Sequence, residues 1–93
     1  MLSHAQKRAK RLKAARKKAT HTIGEWIALV EEFRGKCVRC FCECHSPVKD
    51  HIVPIYQGGS DGINNIQPLC HRCNSAKGPE RTNWVEFRRV ENR

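Results

Sequence analysis

Two stretches of the chain carry apolar side chains at the three- and four-residue spacing of an amphipathic helix. The first opens with a capping box at Thr22–Glu25, which predicts a helix over about 23–34 that ends at Gly35. The second opens with a similar box at Asn83–Glu86 and predicts a final helix over about 83–91. The predicted inward-facing residues are Trp26, Leu29, Val30 and Phe33 in the first helix, and Trp84, Phe87 and Val90 in the second.

Between these helices the pattern changes to short extended segments. The apolar run over 48–56, broken by Pro54, predicts one strand. A return strand is predicted over 63–69, where Pro68 restricts that strand to a sheet edge or a bulge. Over 70–76 the spacing becomes helical again. The order helix, strand, strand, helix, helix predicts a small α+β fold.

The length of the chain limits the size of its core. With 93 residues it buries little apolar surface, so a covalent or metal cross-link is expected to stabilise it. Six cysteines can supply such a link. Because the N-terminal residues are polar and basic, we expect no signal peptide and no membrane span, and hence reduced thiols in a cytoplasmic setting.

The cysteines include two Cys-x2-Cys pairs, Cys37/Cys40 and Cys70/Cys73. Two residues between thiols let one turn hold a tetrahedral ion, so the spacing predicts a structural zinc site. Free thiols and disulfides are the alternatives. Three neighbours, Cys42, Cys44 and His45, could replace one of the predicted ligands.

Positive charge is concentrated at the N-terminus. The first 24 residues hold eight Lys or Arg and no acidic residue, whereas the other 69 hold ten basic and nine acidic residues. We therefore expect residues 1–21 to form a basic arm and residues 22–93 to form the folded domain. The arm is expected to be disordered when free or helical on a polyanion. The arm residues expected to contact DNA phosphates are Lys7, Arg8, Lys10, Arg11, Lys13, Arg16, Lys17 and Lys18.

The segment between the cysteine pairs carries a second set of polar residues. Asp50-His51 lies at the end of the first predicted strand, Asn65 precedes the return strand, and Asn74 shares a helix face with Cys70 and Cys73. Carboxylate and amide oxygens suit Mg²⁺ or Mn²⁺, whereas thiolates prefer zinc. Two different metals can thus coexist, with an imidazole left free to act as a base.

These motifs resemble the HNH endonuclease family. The similar residues are the Cys-x2-Cys pairs, Asp50-His51-Ile52-Val53-Pro54, Gly58-Gly59, Asn65-Ile66-Gln67-Pro68-Leu69-Cys70 and Cys73-Asn74-Ser75-Ala76-Lys77-Gly78. The resemblance is strongest to the small stand-alone phage type. It implies a ββα-metal (His-Me finger) core over about 37–78, stapled by zinc on Cys37, Cys40, Cys70 and Cys73 and flanked by helices.

The resemblance also implies roles for single residues. His51 would be the general base, and Asn65 would brace the loop that orients it. Asp50 and Asn74 would hold the catalytic Mg²⁺ or Mn²⁺. Lys77, on the same predicted helix face as Asn74, is expected to contact the DNA backbone.

The implied activity is hydrolysis of DNA phosphodiesters that leaves 5′-phosphate and 3′-hydroxyl ends, by nicking or double-strand cleavage. The implied partners are DNA and, for a phage-encoded enzyme, the large terminase subunit, with the protein a monomer or weak dimer. The main alternative is a non-catalytic zinc-ribbon module that binds nucleic acid. A secreted disulfide miniprotein is a third reading, which predicts neither zinc nor free thiols.

Overall fold

The computed structural model of the protein describes residues 19–78 and 80–92. The helices are α1 (Ile23–Glu32), α2 (His71–Ala76) and α3 (Trp84–Glu91), and the strands are β1 (Val48–His51) and β2 (Ile66–Leu69), with 3-10 turns at Ile55–Gln57 and Ile63–Asn65. The predicted element order and the small α+β class are confirmed. The prediction for the basic arm lies outside the described residues, apart from its last three.

Helix α1 begins as its capping box predicts. The Thr22 hydroxyl accepts a hydrogen bond from the Glu25 backbone N–H at 3.0 Å, and the Glu25 carboxylate accepts one from the Thr22 N–H at 2.9 Å. The helix ends two residues before the predicted boundary. Arg34 and Gly35 both adopt left-handed backbone angles, with φ of +56° and +73°, which turns the chain out of the helix.

The two strands form an antiparallel hairpin in which His51 pairs with Ile66. Both strands are shorter than predicted, because the backbone bends immediately after His51 and a 3-10 turn occupies the start of the predicted return strand. Pro68 pairs with Lys49. A two-stranded sheet has only edge strands, so the prediction of an edge position for Pro68 is confirmed.

The core lies between α1, the hairpin and the start of α3. Its buried members are Leu29, Phe33, Val38, Ile66, Leu69 and Val85 together with Cys37 and Cys73. Trp26 and Trp84 pack against this cluster. In the first predicted stripe, Leu29 and Phe33 are buried as expected, whereas Trp26 and Val30 are half-buried.

The prediction for the last helix is wrong at two positions. Phe87 and Val90 are 49% and 53% exposed, whereas Val85 is buried. The reason is Arg88, whose guanidinium donates to the Val38 and Arg39 carbonyls, each at 2.7 Å. Because Val85 and Arg88 lie one turn apart, these bonds direct their shared face of α3 toward the body.

Candidate metal centre and active-site loop

The four predicted zinc ligands lie together. The sulfurs of Cys37, Cys40, Cys70 and Cys73 all fall within 4.8 Å of one another. The Cys40 and Cys70 sulfurs are 3.8 Å apart, and a tetrahedral ion with Zn–S bonds of about 2.3 Å requires a separation of about 3.8 Å. The geometry and chemistry of these thiols therefore fit zinc.

The first pair of thiols sits on a tight turn. The Phe41 N–H donates to the Cys37 carbonyl at 2.8 Å, and Phe41 itself takes a left-handed φ of +62°. A bulky residue rarely adopts that angle without support. Here the Arg88 guanidinium lies 3.9 Å from the centroid of the Phe41 ring, so α3 covers the turn.

The second pair sits at the start of α2. Cys70 is the N-cap residue, and its sulfur accepts a hydrogen bond from the Cys73 N–H at 3.3 Å. That bond lowers the pKa of Cys70 to about 6, whereas burial raises the pKa of Cys73 to about 12. A lowered pKa favours the thiolate form of Cys70, which is the form that binds metal.

The surplus candidates lie beside this cluster rather than in it. The Cys42 and Cys44 sulfurs are 3.6 Å apart, and His45 is exposed. Hydrogen bonding with the Cys40 and Cys44 thiols raises the pKa of Cys42 well above its ordinary value. The cluster of four contains the predicted pairs without substitution.

Asn65 holds the loop that follows β1. Its side-chain amide donates to the Val53 carbonyl at 3.0 Å and to the Ser60 carbonyl at 2.7 Å, while its oxygen accepts from the Val53 N–H at 2.9 Å. Gly59 completes the contact, since a Cβ there would lie 1.8 Å from the Val53 oxygen. The loop over 52–60 is therefore closed at both ends by one side chain.

His51 lies at the mouth of this loop with about a third of its side chain exposed. Its Nε2 is 2.8 Å from the Asp61 carboxylate. The hydrogen bond from His51 is the main cause that lowers the pKa of Asp61, assisted by one from Thr20. Sequence reasoning missed Asp61, because a single acid in a loop of Gly and Ser carries no periodic signal.

Asp50 is buried and directs one carboxylate oxygen into the body of the domain. Its Oδ2 accepts hydrogen bonds from Lys77 Nζ and from the Gln67 amide, each at 2.8 Å. Within the described part of the chain, Oδ1 makes no hydrogen bond. The adjacent acid and imidazole thus have separate partners, as the alternation of a strand dictates.

Lys77 is buried, which contradicts the expectation that it contacts the DNA backbone. Lys77 follows α2 as its C-cap and is 7% exposed. Its ammonium donates to Asp50 and to the carbonyls of His51, at 2.8 Å, and Ile52, at 3.3 Å. An ammonium has three protons, so none remains for a phosphate.

The remaining predicted residue, Asn74, is half-buried on α2. It lies three positions before Lys77, so its helix face is the one directed at the end of β1. Among the described residues, its side-chain oxygen accepts no hydrogen bond. The amide is thereby free for a ligand.

The chain was compared with models of known protein families. Residues 37–80 match the family model described as HNH endonuclease. This segment is an HNH endonuclease domain. No curated protein matches the chain.

The HNH domain contains both the metal centre and the loop after β1. Its matched residues include all four clustered cysteines, Asp50, His51, Asn65 and Asn74. A domain of this family supports a nuclease-type function that acts on nucleic acid, and the four clustered cysteines could hold a metal ion. Within the described ranges, no helix has the length and apolar character that crossing a bilayer requires.

Proposed function

We propose that the protein is a metal-dependent DNA endonuclease that hydrolyses phosphodiester bonds with His51 as the general base. The observation that carries this proposal is the brace formed by Asn65. Three hydrogen bonds from one side chain fix the turn that begins directly after His51. A zinc module without catalytic activity would not require a loop fixed in this way beside a partly exposed histidine side chain.

In the proposed reaction His51 takes one proton from a water molecule. The water oxygen attacks phosphorus in line, the bond from phosphorus to the 3′-oxygen breaks, and that oxygen is protonated by solvent. The products are a 5′-phosphate and a 3′-hydroxyl. The Lys77 bond to the His51 carbonyl holds the backbone of His51, and the Asp61 bond holds its ring.

The residues proposed to hold Mg²⁺ or Mn²⁺ are Asp50 and Asn74. Both offer a hard oxygen with no hydrogen bond among the described residues, namely Asp50 Oδ1 and the Asn74 amide oxygen, so the donor set fits such an ion. When bound, the ion supplies positive charge that stabilises the transition state and the leaving oxygen. Because Lys77 already neutralises part of the Asp50 charge, we expect weak binding that strengthens when substrate phosphate adds ligands.

Nicking of supercoiled plasmid tests this function. The zinc-loaded protein should convert supercoiled to open-circular DNA when Mg²⁺ or Mn²⁺ is present and should leave it intact when neither is added. Binding without cleavage under every condition would favour the zinc-ribbon alternative.

A finer assignment rests on the resemblance alone. We propose that the enzyme is phage-encoded and acts beside the large terminase subunit during DNA packaging. Co-purification of the two proteins from infected cells would test that association.

A further inference from the structure

Asp61 makes three contacts that converge on His51 and on the segment before α1. Its Oδ1 lies 2.8 Å from His51 Nε2, and its Oδ2 accepts from the Thr20 hydroxyl at 2.9 Å. Its backbone oxygen lies 2.7 Å from His21 Nδ1. Both oxygens of this carboxylate are therefore used, one of them on the imidazole proposed as the base.

The identity of the atoms decides where the His51 proton lies. An ionised carboxylate has no proton to donate, so the hydrogen atom of the contact belongs to Nε2. A neutral imidazole then carries its lone pair on Nδ1. We propose that Asp61 is a positioning residue that holds His51 in the Nε2–H tautomer and leaves Nδ1 as the atom that accepts the proton from water. This inference rests on the proposed function of His51.

The residues just before α1 hold Asp61 in turn. The His21 side chain is 8% exposed, and because a carbonyl cannot donate, its Nδ1 carries the proton of the bond to Asp61. Gly62 allows this approach, since a Cβ at that position would meet the Ala19 carbonyl oxygen at 3.0 Å. Residues 19–21 thus contact the loop at Asp61 and Gly62. The same Asp61 side chain contacts His51, so these residues help to fix its position.

Other charged groups near His51 do not reproduce this effect. Lys77 binds the backbone carbonyl of His51 and not its ring. Asp50 directs Oδ2 to Lys77 and Gln67. Among the described residues Asp61 is the acceptor that contacts the imidazole.

The test combines a spectroscopic and a kinetic measurement on the full-length, zinc-loaded chain. Nitrogen-15 NMR of labelled histidine reports the tautomer of His51 without added Mg²⁺ or Mn²⁺. We compare the wild type with Asp61→Ala, which removes the acceptor, and Asp61→Asn, whose amide oxygen still accepts. Asp61→Leu replaces the alanine variant if that one does not fold. Glu31→Ala, which removes an exposed carboxylate from α1, is the matched control.

The expected spectrum of the wild type and of Asp61→Asn is that of the Nε2–H form, whereas Asp61→Ala gives a mixture of tautomers. In plasmid nicking, Asp61→Ala should lower kcat by about 10- to 100-fold with little change in KM, as loss of a partner that orients a functional histidine commonly does. Asp61→Asn should recover most of that loss, and Glu31→Ala should match the wild type.

Two results would overturn the inference. One is an Asp61→Ala protein with the wild-type tautomer and wild-type kcat. The other is an equal loss of kcat in Asp61→Ala and Asp61→Asn that follows a loss of melting temperature, which would indicate support of the loop alone. If His51→Ala still cleaves DNA, the proposed function fails instead, and the tautomer comparison continues to test the Asp61 contact by itself.

Discussion

Lys77 Nζ lies 2.8 Å from Asp50 Oδ2, and the two side chains are only 6% and 9% exposed. This ion pair ties the end of α2 to the end of β1. The cysteines fix the other end of the same short helix. A helix of six residues would not be stable alone, so its position depends on both attachments.

Replacement of Lys77 by Met should destabilise the zinc-loaded protein by about 3–5 kcal/mol, because it leaves the Asp50 carboxylate buried without a counter-charge. Urea unfolding followed by circular dichroism measures the loss. Arg72→Met, on the exposed face of α2, is the matched control and should change stability by less than about 0.5 kcal/mol. Equal stability of the two variants would show that Lys77 is not the internal partner of Asp50.

The metal centre predicts different outcomes for two neighbouring cysteines. Cys40→Ser should abolish binding of one zinc per chain and unfold the domain, since a structural zinc supplies folding free energy directly. Cys42→Ser should keep both the zinc and the fold. Metal analysis and circular dichroism check these outcomes, and loss of zinc in the Cys42 variant would mean that the first ligand pair is wrong.

Substitution by alanine should have opposite effects at two glycines, one in the loop after β1 and one in α1. Gly59→Ala should lower the melting temperature and the rate of plasmid nicking, because its Cβ would overlap the Val53 carbonyl. Gly24→Ala, in α1 with no atom closer than 3.8 Å to the new Cβ, should raise stability by about 0.5–1 kcal/mol. Thermal unfolding measures both, and a fully active Gly59→Ala protein would contradict the account of the loop.

Deletion of residues 1–18 should weaken DNA binding while retaining Thr20 and His21 on the loop. If five or six arm cations meet phosphates, the full chain has a log-log salt slope of about −5 and loses roughly a thousandfold in affinity between 50 and 200 mM salt. The deletion should flatten that slope and leave kcat at saturating DNA unchanged. An unaltered slope would place the phosphate contacts elsewhere.

Sequence patterns predicted the parts of the molecule that local chemistry determines. Capping boxes located the helix starts, because a capping box joins residues three positions apart. The Cys-x2-Cys spacing located each half of the metal centre, and the four thiolates of a structural zinc site joined the two halves, although Cys40 and Cys70 lie 30 residues apart. The order of elements also followed from periodicity.

The errors concern contacts between residues far apart in sequence. Lys77 is buried because it meets the end of β1, 26 and 27 residues earlier. Arg88 turns α3 through carbonyls 49 and 50 residues away. Asp61 contacts His51 from ten residues away, across a loop that Asn65 holds closed. No local pattern reports such pairings.

The most direct test of the central claim compares two histidine variants in supercoiled plasmid nicking with Mn²⁺ or Mg²⁺. His51→Ala should lower the cleavage rate by about 10²- to 10⁴-fold, the usual contribution of a general base, while zinc content and circular dichroism stay unchanged. His71→Ala, an exposed residue of α2 beside Cys70, should cleave like the wild type. Cleavage by His51→Ala at the wild-type rate would contradict the account.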